Sequence, residues 1–170
     1  NNSYRDLSFA YSNQIAMICS KYNLSANKII EESNKDYPRN IIPVPSPGVG
    51  GPCLTKDPYI LGSEIKSKNK NLFEMGRSIN IKIVQNLISN IKKNISNRSE
   101  KILICGLSFK GHPETKDYRG SGTLIFLKEL KHYNLELFDP LYSTKEIRNL
   151  KVKPFKKIIK SFDKLIILNN

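Results

Sequence analysis

The apolar residues of this chain change their period at Lys101, and that change divides it into two parts. Upstream, Leu7, Tyr11, Ile15, Ile18 and Tyr22 recur at steps of three and four, as do Leu72, Met75, Ile79, Ile83, Leu87, Ile91 and Ile95. Such spacing places each set on one face of a helix. The first set predicts a helix over residues 3 to 22; the second predicts a long amphipathic helix that tapers off in SNRSE and needs a partner for its stripe. Downstream, KILIC, LELFDP and KLIIL are short apolar runs bounded by turn residues, which reads as buried strands. Helical segments at Ser121 to Lys131 and ahead of KLIIL separate them. Strand, helix, strand, helix, strand implies a parallel sheet, cut off here before completion. The expected fold class is α/β: a helical domain with a long spine helix over residues 1–98, then a parallel α/β domain over residues 99–170.

Between the two predicted helices of the first part, Ser25 offers an N-cap to a short helix carrying Ile29 and Ile30, and Asp57 to Lys66 reads as another. From Asp36 to Pro52 the chain holds Pro38, Pro43, Pro45, Pro47 and Pro52 with Gly48, Gly50 and Gly51, so no regular element fits. A connection this long is usually functional.

At 170 residues with 39% hydrophobic content the chain has enough apolar mass for one ordinary domain or two small ones. It opens on Asn1 rather than Met and ends on Asn170 directly after LIIL, and so is expected to be a piece of a longer protein. No window approaches the roughly 18 apolar residues of a membrane span, and no signal sequence opens the chain. A cytoplasmic protein without a membrane partner is expected. The net charge of +13 raises nucleic-acid binding. The basic residues are scattered, however, with clusters only at Lys92 to Lys93 and Lys151 to Lys160, and no aromatic platform is interleaved with them. Solvated basic faces are the favoured reading over a nucleic-acid partner, and a small anion such as a diphosphate stays compatible. The three cysteines match no disulfide framework and no paired zinc spacing, so no metal is expected. Cys19 and Cys105 lie in apolar runs where a thiol acts as a small hydrophobe.

Cys53 differs, because it follows a glycine-rich turn in GVGGPCLTKDPY. Glycines there let the backbone approach a ligand, and Pro52 suits the start of a helix that would carry Cys53 in its first turn. The helix dipole and Lys56 would both favour thiolate, the nucleophilic form. Asp57, four residues on, would share a face with Cys53. The same residues equally describe a tight turn with a packed Cys, and chemistry alone does not separate the two. Asn2 and Arg5, three apart, share a helix face, where Asn serves as a cap. Arg39 is expected in solvent or in a loop ion pair. In the second part GLSFKGHPETKDYRGS follows a strand and precedes a helix, where open α/β sheets bind ligands. Lys110 and Arg119 could grip a diphosphate there, although only Gly106 and Gly111 are present and the dinucleotide fingerprint is not. Asp139, ending a strand, has the position of a ribose-binding acid, but such an Asp more often starts a turn. His112 is a loop His, usually incidental.

Taken together, NNSYRDLSFAYSNQIAMIC, YPRN, PSPGVGGPCLTKDPY, GRSIN, GLSFKGHPETKDYRGS and FDP resemble the UDP-glucose/GDP-mannose dehydrogenase family in order and spacing, over nearly the whole chain. The resemblance implies the family's helical central domain and a truncated, Rossmann-like nucleotide-binding domain, without the N-terminal NAD-binding domain. It implies oxidation of a nucleotide sugar's primary alcohol to the acid with two NAD. Cys53 matches the family's nucleophile, Asn2 an Asn that with a Lys four residues earlier stabilises the oxyanion, and Asp57 an Asp that assists the water or alkoxide step. Arg39 resembles an arginine donated to a neighbouring subunit. Val44, Pro45, Ser46, Pro47, Gly48, Val49 and Gly50 resemble the sugar-nucleotide loop, Phe109 and Lys110 a UDP-contacting pair, and Lys56 and Arg119 residues that reach NAD. The long helix would be the spine on which a homodimer or higher oligomer forms. Pro52 stands where relatives usually have Ser or His, and Gln14 where many have Glu; the segment from Lys110 to Arg119 is about two residues longer than in the UDP-glucose branch. GVGG, the DP after Cys53 and YRD look closest to the UDP-N-acetylmannosamine and UDP-N-acetylglucosamine branches. A UDP-N-acetylhexosamine 6-dehydrogenase, inactive as this piece alone, is the expectation; UDP-glucose 6-dehydrogenase and a non-catalytic binding module are the alternatives.

Overall fold

The computed structural model describes residues 1–66, 68–155 and 161–169. Two compact units divide the chain, Asn1–Gln85 and Asn86–Asn170. The first is built from helices α1 (Asn2–Lys21), α2 (Ala26–Asn34), α3 (Asp57–Gly62) and the start of α4 (Leu72–Lys93). Helix α2 begins where the sequence places it, since the Ser25 hydroxyl accepts from Lys28 N at 3.4 Å. At the start of α4, Asn71 Oδ1 accepts from Glu74 N and Glu74 Oε2 accepts from Asn71 N, both at 3.1 Å. This reciprocal pair satisfies donors that the first turn would otherwise leave open. Residues between α2 and α3 form turns and irregular loop, as their prolines and glycines require. Helix α3 is shorter than the predicted Asp57 to Lys66: the Asn71 carboxamide donates to Gly62 O at 3.0 Å and closes the helix there.

The buried faces of α1 and α4 differ from the apolar stripes the sequence predicts. In α1 the buried residues are Ser3, Asp6, Ala10, Ser12, Asn13 and Cys19, whereas Tyr11, Ile18 and Tyr22 are at least half exposed. In α4 Leu72 and Met75 are exposed, and Gly76, Arg77, Asn80, Val84 and Ile88 are buried beside Ile83. The physical reason is a polar network described below, whose members bond one another in the interior, although Asp6 Oδ2 and Arg77 Nε have no hydrogen-bond partner among the described residues. Gly76 lies where a Cβ would come 2.7 Å from the Leu7 side chain, so its missing side chain lets α4 approach α1 closely.

The second unit is a four-stranded parallel sheet in the order β3-β2-β1-β4. Its strands are β1 (Lys101–Cys105), β2 (Asn134–Phe138), β3 (Lys153–Pro154) and β4 (Lys164–Ile167), with α5 (Gly122–Glu129) and α6 (Thr144–Asn149) in the crossovers. Ile102 pairs with Leu135 and Ile104 with Leu137, which stacks the apolar run of β1 against that of β2. Ile104, Leu107, Leu130 and Leu137 are wholly buried, and Phe126 of α5 lies with them in the core. The two-residue β3 escaped sequence reading, because KVKP carries no apolar alternation. Helix α6 opens with a capping box in which Ser143 and Glu146 bond each other's backbone N–H. Of the basic cluster at 151 to 160, residues 156–160 lie outside the described residues. No helix among the described residues is long and apolar enough to cross a membrane.

Candidate active site

The loop of residues 44–51 is held from beneath by side chains of α1 and α4. Asn13 Oδ1 accepts from Ser46 N at 2.9 Å, and its Nδ2 donates to Asn80 Oδ1 at 2.9 Å. Asn80 Nδ2 donates in turn to Asp6 Oδ1 at 2.9 Å and to Asp6 O at 3.0 Å. Arg77 Nη1 reaches Asp6 Oδ1 at 2.6 Å and Val49 O at 3.3 Å. All four side chains are buried. Burial raises the Asp6 carboxyl above its ordinary range, against the bonds and charge of Arg77 and the bond of Asn80, which lower it. Sequence reading missed these residues; the available signal was Asp6 and Asn13 seven apart on α1, and Arg77 and Asn80 three apart on α4, each polar within a helical apolar pattern.

Cys53 is exposed, next to this loop. It does not ride in the first turn of a helix, as the sequence predicts, because α3 begins only at Asp57. Instead residues 51–56 make consecutive turns: Thr55 N donates to Gly51 O at 3.3 Å, and Lys56 N and Asp57 N donate to Cys53 O at 3.2 and 2.9 Å. Gly51 turns with φ of 88°, which other residues resist, and the Thr55 hydroxyl binds its carbonyl at 2.9 Å. The helix-dipole argument for thiolate therefore falls away, and the accessible sulfur remains.

Asn2 and Asp57, separated by 55 positions, meet: Asn2 Nδ2 donates to Asp57 Oδ2 at 2.7 Å. Asn2 is thus no cap; Asn1 occupies the N-cap position and makes no side-chain capping bond. Lys56 Nζ stands 3.9 Å from Asp57 Oδ1 with its side chain 65% exposed. Asp57 and Cys53 share one helical turn through the backbone bond above. Arg39 is exposed on the loop after α2, as is Arg5 on α1. That loop is tied down nearby by Asn34, whose carboxamide accepts from Ile42 N and donates to Ile42 O.

In the second unit, the segment after β1 is closed against the one after β2. Asp139 Oδ2 accepts from Leu107 N at 2.7 Å and Ser108 N at 3.2 Å, and its Oδ1 accepts from Leu141 N at 2.9 Å. Buried and fully engaged, Asp139 is a turn-forming and loop-tying residue rather than a ribose ligand. Phe109 and Lys110 are half-buried together, with Lys110 Nζ 5.7 Å from the Phe109 ring centroid. Arg119 makes a forked pair with Asp117, at 2.7 Å for its Nη2, and this pairing holds the Asp117 carboxyl below its usual range.

An exposed cysteine after a glycine-rich turn, a hydrogen-bonded Asn–Asp pair beside it, and a four-stranded parallel sheet in the second unit define the class by fold: an α/β protein with a helical unit and a parallel-sheet unit. Residues 1–82 match the central domain of the UDP-glucose/GDP-mannose dehydrogenase family. Over those residues the chain has that family's central domain. It is similar to a UDP-N-acetyl-D-mannosamine dehydrogenase of Methanocaldococcus jannaschii, 36% identical over 65% of this chain and 25% of that protein. A protein of the same description from Methanococcus vannielii is 31% identical over 82% of this chain and 33% of its own length. The solved structure of a UDP-D-ManNAc dehydrogenase from Pyrococcus horikoshii superposes with a TM-score of 0.77 at 28% identity, covering 99% of this chain and 40% of that one. The chain thus spans a quarter to a third of the length of these curated relatives.

Proposed function

We propose that this chain carries the nucleophile and the nucleotide-binding sheet of an NAD-dependent UDP-N-acetylhexosamine 6-dehydrogenase, acting on a ManNAc or GlcNAc nucleotide. The observation that supports this best is the exposed Cys53 sulfur one helical turn ahead of Asp57, whose carboxylate orients Asn2. In this reading the thiolate attacks the C6 aldehyde and forms a C–S bond, so the intermediate cannot diffuse away. One N–H of Asn2 is committed to Asp57; its second stabilises the oxyanion that develops on that carbon. NAD, when bound, supplies the hydride acceptor at both oxidation steps. Asp57 Oδ1 then takes a proton from the water that attacks the thioester, the C–S bond breaks, and the acid leaves with the thiol restored. The loop of residues 44–50 binds the sugar nucleotide, Arg39 reaches the substrate of a neighbouring subunit, Phe109 and Lys110 contact the uridine diphosphate, and Lys56 and Arg119 reach the cofactor. The long helix α4 serves a homodimer.

In the polypeptide that joins this chain to its cofactor domain, two NADH should form per uronate, and Cys53→Ala should abolish acid formation. A Cys53→Ala protein that made uronate near the wild-type rate would overturn the thioester mechanism. UDP-glucose as the substrate, or binding without chemistry, are the rival readings, and product analysis with each sugar nucleotide decides among them.

A further inference from the structure

The loop beside Cys53 contains three prolines and two glycines between positions 43 and 50, and makes few bonds of its own: within it, Ser46 Oγ donates to Gly48 O at 3.1 Å. Its two outward ties both lead back to one buried oxygen. Asp6 Oδ1 accepts from Arg77, which holds Val49 O, and from Asn80, which holds Asn13, which holds Ser46 N.

The second arm is a polarity relay. A carboxylate can only accept, so Asn80 must turn its NH2 toward Asp6 and its carbonyl toward Asn13. Asn13 must then present its own NH2 to Asn80, which leaves its carbonyl facing the loop, where only a donor fits. Ser46 N–H is that donor. The Asp6 carboxylate, together with the main-chain carbonyl of the same residue, which also accepts from Asn80 Nδ2, thereby fixes the orientation of two carboxamides and the position of the loop backbone at Ser46. Asp6, Asn13 and Asn80 are each 2% exposed or less, so a reversed carboxamide would set carbonyl against carbonyl.

We propose that Asp6 is a positioning residue for the nucleophile loop, acting through Asn80 and Asn13 on one side and Arg77 on the other. The proposal deepens the dehydrogenase reading, since it rests on residues 44–50 being the substrate loop; the relay itself does not depend on that reading. Neither Asp6 nor Asn80 touches the loop, and their effect on it is what distinguishes positioning from ordinary packing.

The test is amide hydrogen exchange of the whole chain, wild type against Asp6→Asn and Asn13→Leu. Both variants should accelerate exchange of the Ser46 N–H about ten-fold, the scale of one lost neutral hydrogen bond, while the amides of α2 and the sheet keep their rates. Exchange at Ser46 unchanged in Asp6→Asn would overturn the proposal, and so would acceleration spread evenly over the unit. Should Asp6→Asn fail to fold, unchanged Ser46 exchange in Asn13→Leu overturns it alone. Alkylation of Cys53 by iodoacetamide, with and without UDP-N-acetylglucosamine, reads the function separately. The nucleotide should slow alkylation of wild type, and about ten-fold more of it should be needed in either variant. Absence of protection in wild type would remove the substrate reading and leave the exchange result standing.

Discussion

Arg77 is 5% exposed, and its partner Asp6 is sealed from solvent. Removing one member of such a pair strands the other's charge, so Arg77→Met should cost about 3–5 kcal/mol, read by urea unfolding. The pH dependence has a definite sign. Burial raises the Asp6 pKa above its unfolded value of 3.8, so the folded state holds its proton more tightly, and this residue's contribution to stability falls as pH rises through that raised pKa. Without Arg77 the shift grows; the deficit of Arg77→Met should therefore be larger at pH 7 than at pH 4. Asp139 poses the neutral version of the problem. Asp139→Ala would leave the buried N–H groups of Leu107 and Ser108 without an acceptor and should cost about 2–4 kcal/mol, measured by thermal unfolding.

Among the elements, α6 is short and owes its start to the Ser143–Glu146 box, so Ser143→Ala should lower stability by about 1 kcal/mol. Gly106, directly after strand β1, has φ of 98°, and a Cβ there would collide with the Asn169 carboxamide. Gly106→Ala should then displace Asn169 from Ser108 O, which it holds at 3.0 Å, and loosen the very segment proposed to bind uridine diphosphate. Weaker UDP binding with a native-like circular dichroism spectrum is the expected result. Helices α1 and α4 carry a different lesson. Their lengths follow from periodicity, yet the face each buries follows from hydrogen-bond satisfaction, which a hydropathy pattern does not register.

At the level of the whole molecule, a carboxyl in each unit is shifted, and these two are shifted in opposite directions. Glu146 in the sheet unit is lowered to about 2 by its bond to Lys116 and those to Ser143. A depressed carboxyl stabilises above its unfolded pKa of 4.5 and loses that contribution as pH falls toward about 2, whereas Asp6 favours the helical unit at low pH. Amide exchange between pH 5 and 2.5 should show the first turn of α6 loosening as Glu146 is protonated. Local signals were enough to read the helical first part, the parallel strands, the Ser25 cap and the Pro- and Gly-rich loop, because caps, turns and short apolar runs act within a few residues. The same signals singled out Cys53 as exceptional. They placed it on a helix that starts too late to hold it, made Asn2 a cap when it bonds Asp57, and kept open a ribose role for an Asp139 that ties two loops together. They passed over Asp6, Asn13, Arg77 and Asn80 altogether. Asn2, Asp139 and these four find partners 28 to 74 positions away, counting Val49 and Ser46 among the partners. A polar side chain announces in sequence that it needs a bond, and only the folded chain decides which group supplies it.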